Sequence, residues 1–485
     1  MRLDPHTIRA NARNLAKEAL MTPDERTPDE RRAAGEALRE KVPHKAHAIW
    51  EAPADRPDPV ALLKEQGTSR VQALLPVRYE RMSVSAFTFY RGSALIMASD
   101  LSHTPSTGIV VQACGDAHIS NFGLFNSPER RTVFDINDFD ETAPGPWEWD
   151  VKRLAASVEI CGRDRGFSKA ERKTAVRACV RGYCDGMAKF ASMGTMDVWY
   201  AHLDVEEFMA KFPNLATKKQ HKQLQKVLDK AKSKDSTRAV GKLTEVVDGK
   251  LRIVSDPPII IPMRDEAERI AAADLIDSIG MERIVRLVLA NYCMTLTPDK
   301  RHLIEQYHGV DMAMKVVGVG SVGTRAFIVV MEGAGHEDPL VLQIKEAQES
   351  VLERFCGKSE FEQHGQRVVV GQRAIQSASD MLLGWCRLIS EDGMPKDYYV
   401  RQLWDGKGSL DLTVIDAEGL AVLAEQCGWT LAHAHARSGD RFEIAGYLGD
   451  GTDFVKAIGK FARAYADQNE ADFARFEEAL EAGEL

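Results

Sequence analysis

The sequence predicts an α+β fold with two lobes, a small lobe of antiparallel strands and a large, mainly helical lobe. Apolar residues recur at helical spacing from Val151 to Val158, whereas from Ala313 onwards the hydrophobic period changes to two, as is typical of strands. The glycine-rich run GVGSVG at 318–323 is followed by the β-branched and aromatic run TRAFIVVM. A strand directly after such a loop indicates a connection between two antiparallel strands.

Composition and charge exclude several classes of protein. At about 150 residues per domain, the 485 residues suggest about three structural units. The 63 Lys and Arg residues against 72 Asp and Glu residues give a net charge of −9, so no overall basic field exists that would hold nucleic acid. Eight scattered cysteines without a C-x-x-C pair predict a reduced, cytoplasmic protein. The charged N-terminus and the lack of long apolar runs predict neither export nor a membrane span.

The N-terminal half is predicted to form a helical arm, 1–75, and a first part of the large lobe, 76–210, which carries the candidate catalytic and metal-binding loops. The arm is polar, and the following segment alternates between β-branched runs and helical patterns. The helices expected here lie at 5–20, 28–40, 151–158 and 168–192, and the strands at 108–114 and 132–136.

A lysine-rich linker with a helical insertion is predicted at 211–305. Its run at 214–234 is strongly charged, which is typical of a solvated helix face, and a docking surface for an acidic protein partner is the alternative. Helices are expected again at 265–307.

The C-terminal half is predicted to contain the small β lobe, 306–408, and C-terminal helices, 409–485, that complete the large lobe. In the small lobe we expect three successive strands, a helix at 363–383 and two further strands.

Two polar runs follow strands in the first half of the chain, GDAHISN at 115–121 and NDFD at 137–140. Carboxylate and amide oxygens are the ligands that Mg²⁺ prefers, and a further carboxylate can accept a proton from a hydroxyl substrate. The alternative is that these acids cap turns, which we favour for Asp140 alone. The magnesium and proton-transfer candidates are Asp116, Asn121, Asp135 and Asp138.

The glycine-rich run is a candidate phosphate-binding loop through Gly318, Gly320, Ser321 and Gly323. A dinucleotide fingerprint has the same glycine spacing but opens a helix, which this run does not. Lys345 follows Gly323 by 22 residues in a strand of apolar residues. A lysine in such a strand needs a partner, and we favour a nucleotide phosphate with a carboxylate over a lysine that points to solvent.

Two further polar residues have simple interpretations. His118 is expected to hydrogen-bond within its own loop. Arg91, in the run YRG, could bring a guanidinium to a phosphate, but a salt bridge to one of the many acids is favoured.

Together the motifs resemble those of aminoglycoside-phosphotransferase and choline-kinase-like enzymes. DAHISN at 116–121 resembles their catalytic loop H-G-D-x-H-x-x-N, with Cys114 in place of the leading histidine. The strand and acids at 133–138 resemble their metal-binding segment, and 141–154 resembles the segment that follows, with Asp150 as its structural aspartate. The whole chain also resembles the bacterial DUF2252 family, which carries GDAHxxNFG and FDxNDFDE segments.

The resemblance implies a protein kinase-like fold of two lobes that is circularly permuted. Glycine loop and lysine precede the catalytic loop in ordinary kinases, but here they follow it by about two hundred residues. Chain termini near one another at the surface tolerate such a permutation.

The resemblance also implies an ATP- and Mg²⁺-dependent phosphotransferase that acts on a hydroxyl of a small molecule. Its catalytic residues would be Asp116, Asn121 and Lys345. Asn121 would hold the metal with Asp135 or Asp138, a choice that the sequence leaves open. The expected helix at 363–383 contains no glutamate, so the acidic partner of Lys345 is also open.

Three alternative functions would each explain part of these observations. A nucleotide-binding pseudokinase would regulate a partner through the lysine-rich segment 214–234. A kinase-fold enzyme could transfer AMP in place of phosphate. A metal-dependent phosphoesterase would use the acids and leave the glycine loop and Lys345 without a role.

Overall fold

The computed structural model describes residues 25–206, 236–247, 250–267, 281–316, 318–335, 337–389, 393–403, 408 and 410–485. The helix expected at 5–20 and the lysine-rich segment 214–234 lie outside these residues.

Helices and strands together confirm the α+β class. The helices are α1 Pro28–Lys41, α2 Pro59–Gly67, α3 Leu75–Met82, α4 Ala86–Gly92, α5 Ala94–Leu101, α6 Trp147–Asp164, α7 Lys169–Phe190, α8 Thr195–Tyr200, α9 Ser236–Leu243, α10 Met263–Ala267, α11 Met281–Cys293, α12 Pro298–Ile304, α13 Glu353–Cys356, α14 His364–Ile375, α15 Ala417–Ser438, α16 Arg441–Leu448 and α17 Thr452–Glu481. The strands are β1 Val110–Ala113, β2 Phe122–Asn126, β3 Thr132–Ile136, β4 Ala143–Pro146, β5 Leu203–Asp204, β6 Thr244–Val247, β7 Lys250–Ile253, β8 Ile260–Pro262, β9 His308–Lys315, β10 Ala326–Glu332, β11 Pro339–Ala347, β12 Gly384–Ile389 and β13 Pro395–Gln402. Among the residues described, no helix is both long enough and apolar enough to cross a membrane.

The large lobe is built from distant parts of the chain. Helix α15 packs against α7 and α6, helix α17 against α6, and helix α1 against α16. Glycines allow the closest of these contacts, because a Cβ atom at Gly428 would lie 2.0 Å from the carbonyl oxygen of Cys179. One hydrophobic core extends from Leu62 to Phe476 and joins these helices.

The small lobe is a sheet of six antiparallel strands in the order β12-β13-β11-β10-β9-β8. The glycine-rich run connects β9 to β10, and their antiparallel pairing confirms the expected hairpin. Strand β11 lies between β10 and β13, so it is buried along its whole length. Helix α14 follows β11 in the chain and packs on β12 and β13. Strand β8 extends this sheet to residues before the boundary expected at 306, because it pairs with the end of β9.

The helix expected over 363–383 is shorter than predicted, and the C-terminal part of that prediction is wrong. Helix α14 ends at Ile375, and Gln376 is extended with φ −83° and ψ 133°. The backbone N–H and the hydroxyl of Ser377 both donate to the buried carboxylate of Asp135, at 2.7 and 2.5 Å. These hydrogen bonds hold the chain outside the helix, and their acceptor lies too far away in the sequence for a local pattern to reveal it.

Candidate active site

A cavity of about 680 Å³ lies where the small sheet meets the large lobe. It brings together polar loops from the first half of the chain and the glycine-rich loop from the second. Its lining includes these sequence-predicted residues: Asp116, Asn121, Asp138, Gly318, Gly320 and Ser321.

The loop that carries Asp116 is held by a buried aspartate. The backbone N–H groups of Cys114 and Gly115 donate to the two carboxylate oxygens of Asp150, at 2.6 and 3.0 Å. His435 of α15 lies 3.2 Å from the same carboxylate. Gly115 has a φ of +79°, and a Cβ atom there would lie 2.2 Å from the carbonyl oxygen of Glu141. Only glycine fits this turn, which directs the chain from β1 into the cavity.

Asp116 is fixed in position by an arginine behind it. Nε of Arg153 donates to Asp116 Oδ1 at 2.6 Å, and the guanidinium lies 4.4 Å from the ring centroid of Tyr90. Burial alone would lower the pKa of Arg153, but Asp116 outweighs it and the pKa is raised. The side-chain amide of Asn121 donates to the carbonyl oxygen of Asp116 at 2.7 Å, so both candidates belong to one ordered loop.

His118 does not make the expected hydrogen bond through its ring. Its backbone N–H donates to the carbonyl oxygen of Asp116 at 2.8 Å, whereas Nδ1 is buried and without a partner among the residues described. Nε2 lies 3.7 Å from Asp116 Oδ2. Burial lowers the pKa of His118 to about 4, so the ring is neutral at pH 7.

The two acids left open as metal ligands have different surroundings. Asp135 is 1 % exposed, and its oxygens accept hydrogen bonds from Ser377 and from the N–H of Ile136. It is not part of the cavity lining, whereas Asp138 is. Asp138 Oδ2 lies 3.6 Å from Nζ of Lys345. The geometry therefore favours Asp138 as the acid available to a ligand in the cavity.

Lys345 lies inside the sheet on β11 and is 2 % exposed, which excludes the solvent-facing alternative. Its ammonium group contacts the carboxylate of Asp140 and lies near Asp138. Burial alone would lower the pKa of Lys345, but the two carboxylates outweigh it and raise the pKa above its usual value. Lys345 is therefore a buried cation whose acidic partners come from the loop after β3.

Asp140 is the residue that sequence reasoning missed. Besides Lys345, it accepts hydrogen bonds from the hydroxyls of Ser321 at 3.1 Å and Tyr399 at 2.8 Å. It thus joins the glycine loop, the lysine and β13 at one point. The alternating acids of D-F-D at 138–140 were a signal, because a short extended run directs every second side chain to the same side.

Helix α14 approaches this acidic loop through an arginine. The guanidinium of Arg367 is buried and donates to the carbonyl oxygens of Asp140, Thr142 and Gln348 at 2.9, 2.5 and 2.6 Å. A cation on this helix holds the backbone of the loop whose acids pair with Lys345.

The glycine loop lies against the segment before α4. The carbonyl oxygen of Gly318 accepts from Nη1 of Arg81 at 2.6 Å, and that of Gly323 from the N–H of Val71 at 2.8 Å. Gly318 and Gly323 have φ values of +70° and +92°, a conformation that favours glycine. These contacts hold the loop in place, and its residues from Gly318 to Ser321 line the cavity.

A family model described as an uncharacterized protein conserved in bacteria (DUF2252) matches residues 70–479. The chain belongs to the DUF2252 family. The match spans the residues described above from Val71 to His435, and it confirms the resemblance of the sequence to this family. Comparisons with curated proteins and with solved structures found no match.

The cavity of this DUF2252 protein also has a basic side, which includes Arg70 and Arg91. The salt bridge expected for Arg91 is not found in the described part of the chain, where its buried Nε has no hydrogen-bond partner.

Proposed function

We propose that this protein is an ATP- and Mg²⁺-dependent phosphotransferase with a circularly permuted, kinase-like fold, acting on a hydroxyl of a small molecule. The observation that carries the proposal is that three parts of the chain meet at one point: the glycine loop, Lys345 with its acidic partners, and the loop that carries Asp116. Under the glycine loop, the buried Lys345 contacts Asp140 and lies 3.6 Å from Asp138, beside the loop that carries Asp116. Protein kinases bind the phosphates of ATP with these same parts.

The order of the small lobe supports the kinase-like fold. Kinases carry a glycine loop over the phosphates, a lysine on the third strand and a helix after it. Here the glycine loop joins β9 to β10, Lys345 lies on the next strand, β11, and α14 precedes β12. The permutation is supported by α15, whose His435 lies 3.2 Å from Asp150, the carboxylate on α6 that accepts from the N–H groups of Cys114 and Gly115.

The phosphates of ATP would lie between the glycine loop and Lys345. The lysine is held in its charged form, since the acids beside it raise its pKa. Its charge would be shared between these acids and the α- and β-phosphate oxygens, as in kinases. Ser321 adds a hydroxyl on the cavity wall.

The donor set at the cavity fits Mg²⁺ bound together with phosphates. Asp138 supplies a carboxylate, and Asn121 uses its Nδ2 for Asp116, which leaves its amide oxygen for a cation. Within the described ranges, no group of three or more His, Cys, Asp or Glu residues is placed to hold a metal by itself. Mg²⁺ commonly binds through one or two carboxylates and substrate phosphates, and it supplies charge neutralisation of those phosphates when bound.

Asp116 would position the acceptor and take its proton. As the acceptor oxygen bonds to the γ-phosphorus and the bond to the ADP oxygen breaks, the hydroxyl proton passes to the Asp116 carboxylate. Arg153 keeps that carboxylate fixed through a hydrogen bond of 2.6 Å. The remaining contribution is positioning and charge stabilisation.

The test uses Mg²⁺ with ATP labelled separately at the α and γ positions. We expect the wild type to release ADP and to transfer or release only the γ label, and we expect Asp116→Asn to bind ATP but to lose at least about 100-fold of this turnover. Lys345→Met should weaken ATP binding at least about tenfold, and Lys456→Met, a change at an exposed lysine on α17, serves as its control for a lost positive charge.

The other outcomes distinguish the alternatives. Transfer of the α label would identify AMP transfer, and ATP binding without turnover would identify a pseudokinase. Metal-dependent cleavage of a phosphoester without any binding of ATP would contradict the proposal.

A further inference from the structure

Arg91, at the end of α4, lines the cavity close to Asp116. Its guanidinium makes no hydrogen bond and no ion pair with any residue that the structure describes, and its Nε is buried. An arginine side chain has five N–H donors, and a buried donor without an acceptor destabilises the protein unless a ligand supplies one. This arrangement provides donors for a ligand that enters the cavity.

Two further arginines lie on this side, and the carboxylates of Glu141, Asp140 and Glu346 attract the charge of Arg70. Arg70 lines the cavity, donates to the carbonyl oxygen of Val322 at 2.6 Å and keeps a buried Nε without a partner. Arg78 lies behind the wall with 0 % exposure, and its acceptors are neutral, the side-chain oxygen of Gln66 and the carbonyl oxygen of Gly92, both at 3.0 Å. Burial, together with the charge of the neighbouring Arg70, lowers the pKa of Arg78 to about 9.

Unpaired arginines are not the rule in this protein. Arg56 is paired with Asp100 at 2.7 Å and with Asp472 at 2.6 Å, and Arg153 is paired with Asp116. Asp116 attracts the charge of Arg91 but is hydrogen-bonded to Arg153, so the buried Nε of Arg91 keeps no acceptor among the described residues. Arg70 and Arg91, here called the arginine wall, therefore offer N–H donors that suit an anion in the cavity.

The position of the arginine wall assigns it to the acceptor side of the cavity. Lys345, on the nucleotide side, is neutralised by Asp138 and Asp140. Arg91 instead lies beneath the tip of the glycine loop, where its carbonyl oxygen would be 3.0 Å from a Cβ atom at Gly320. This is the side from which an acceptor hydroxyl would reach the proposed base.

We propose that the acceptor is itself an anion, a hydroxyl compound with a phosphate or carboxylate group that Arg91 and Arg70 bind. The planar guanidinium groups match such oxyanions in bidentate geometry. This inference rests on the proposed function and names the class of its substrate.

The experiment titrates inorganic phosphate into the protein by calorimetry, first with saturating Mg²⁺ and ADP and then with Mg²⁺ and a non-hydrolysable ATP analogue. We expect phosphate to bind in both states, because the γ-phosphate and the acceptor anion occupy different places. Arg91→Gln and Arg70→Gln should each weaken phosphate binding at least about tenfold. The control Arg177→Gln, at an exposed position on α7, should leave it unchanged.

Thermal unfolding separates binding from a structural role. Since Arg91 has no partner among the described residues, Arg91→Gln should not lower the melting temperature, and a clear loss of stability would overturn the inference.

Two binding results would also overturn it. Phosphate binding with ADP that disappears with the ATP analogue would assign the arginines to the γ-phosphate of ATP. If nucleotides bind but phosphate does not, the proposal of an anionic acceptor is wrong, whereas the phosphotransferase proposal stands. Failure of the nucleotides themselves to bind would instead overturn the proposed function.

Discussion

Asp135 and Asp138 lie three residues apart, yet only Asp138 faces the cavity. The sequence offers both as candidate metal ligands and leaves the choice open, with Asp135 inside strand β3 and Asp138 in the loop after it. The decision between them depends on Ser377, whose N–H and hydroxyl occupy Asp135 from 242 residues away. A local motif shows the residue types of a site. It does not show which of these residues are already hydrogen-bonded to residues far away in the sequence. For the same reason, Asp140 could not be recognised as the partner of Lys345.

Exchanging each of these acids should separate ligand binding from stability. Asp138→Asn should weaken Mg²⁺-dependent ATP binding at least about tenfold, since a metal ligand is lost, and should leave the fold intact. Asp135→Asn should lower the free energy of unfolding by about 1–3 kcal/mol, because the donors of Ser377 and Ile136 lose part of their acceptor. Calorimetric ATP binding and urea unfolding measure the two effects. Equal effects of both variants on ATP binding would contradict the assignment.

The buried carboxyl group of Glu141, at the cavity, leads us to expect that the stability of the protein depends on pH. Burial raises its pKa to about 7 from 4.5, although the N–H of Val351 and the charge of Arg367 lower it. The folded protein then keeps a proton that the unfolded chain releases, so stability falls as the pH rises from about 4.5 to about 7. Glu141→Gln should remove this contribution, which is at most about 1.4 kcal/mol per pH unit.

Urea unfolding at pH 5, 6 and 7 measures this slope. The exposed Glu477→Gln is the control and should keep the wild-type dependence on pH. Identical slopes for Glu141→Gln and the wild type would show that the carboxyl group of Glu141 ionises normally.

At the scale of elements, local patterns predicted most of the small lobe. Strands β10 and β11 and the glycine loop lie where the sequence pattern places them, because hairpin-connected strands need only short-range information. Strand β9 begins at His308, before the change of period at Ala313. Helix α14 is the exception, since a contact with β3 ends it early. The contacts between the glycine loop and Arg81 and Val71 also join distant segments, which no local pattern shows.

Alanine substitutions at two glycines of positive φ test the role of the loop. Gly323 and Gly357 have φ values of +92° and +99°, so alanine should cost each about 1 kcal/mol of stability. At Gly323 the added Cβ atom would also lie 3.0 Å from Cβ of Arg70, whereas at Gly357 nothing lies within 4 Å. Gly323→Ala alone should weaken ATP binding, as measured by calorimetry. Equal ATP affinities of the two variants would contradict a role of this loop in binding.

At the scale of the whole molecule, both halves of the chain contribute to one lobe. The length of the chain suggests about three structural units that follow one another along the sequence. In the structure, α15 and α17 pack against α6 and α7, and one core extends from Leu62 to Phe476. The order of the motifs, in which the glycine loop follows the loop of Asp116, predicts a circular permutation, which stays a prediction. The extent of the contacts could not be predicted, because apolar periodicity shows which face of a helix is buried but not against which partner.

Substitution of His435 tests whether helix α15 supports the loop that carries Asp116. It is fully buried, 3.2 Å from Asp150 and 2.9 Å from the hydroxyl of Tyr183. His435→Ala should lower the free energy of unfolding by about 1–3 kcal/mol for each buried group left without a partner, and should reduce ATP turnover. The exposed His202→Ala should change stability by less than about 0.5 kcal/mol. Wild-type turnover by a folded His435→Ala would contradict this support.

The central claim is that the cavity binds ATP through Lys345, and direct calorimetric titration of ATP with Mg²⁺ tests it most simply. The account predicts a dissociation constant below about 1 mM for the wild type and for the control Lys456→Met. It predicts binding at least about tenfold weaker for Lys345→Met, with circular dichroism showing that the variant is folded. A wild-type protein that does not bind ATP, or a Lys345→Met variant that binds it as tightly as the wild type, would contradict the account.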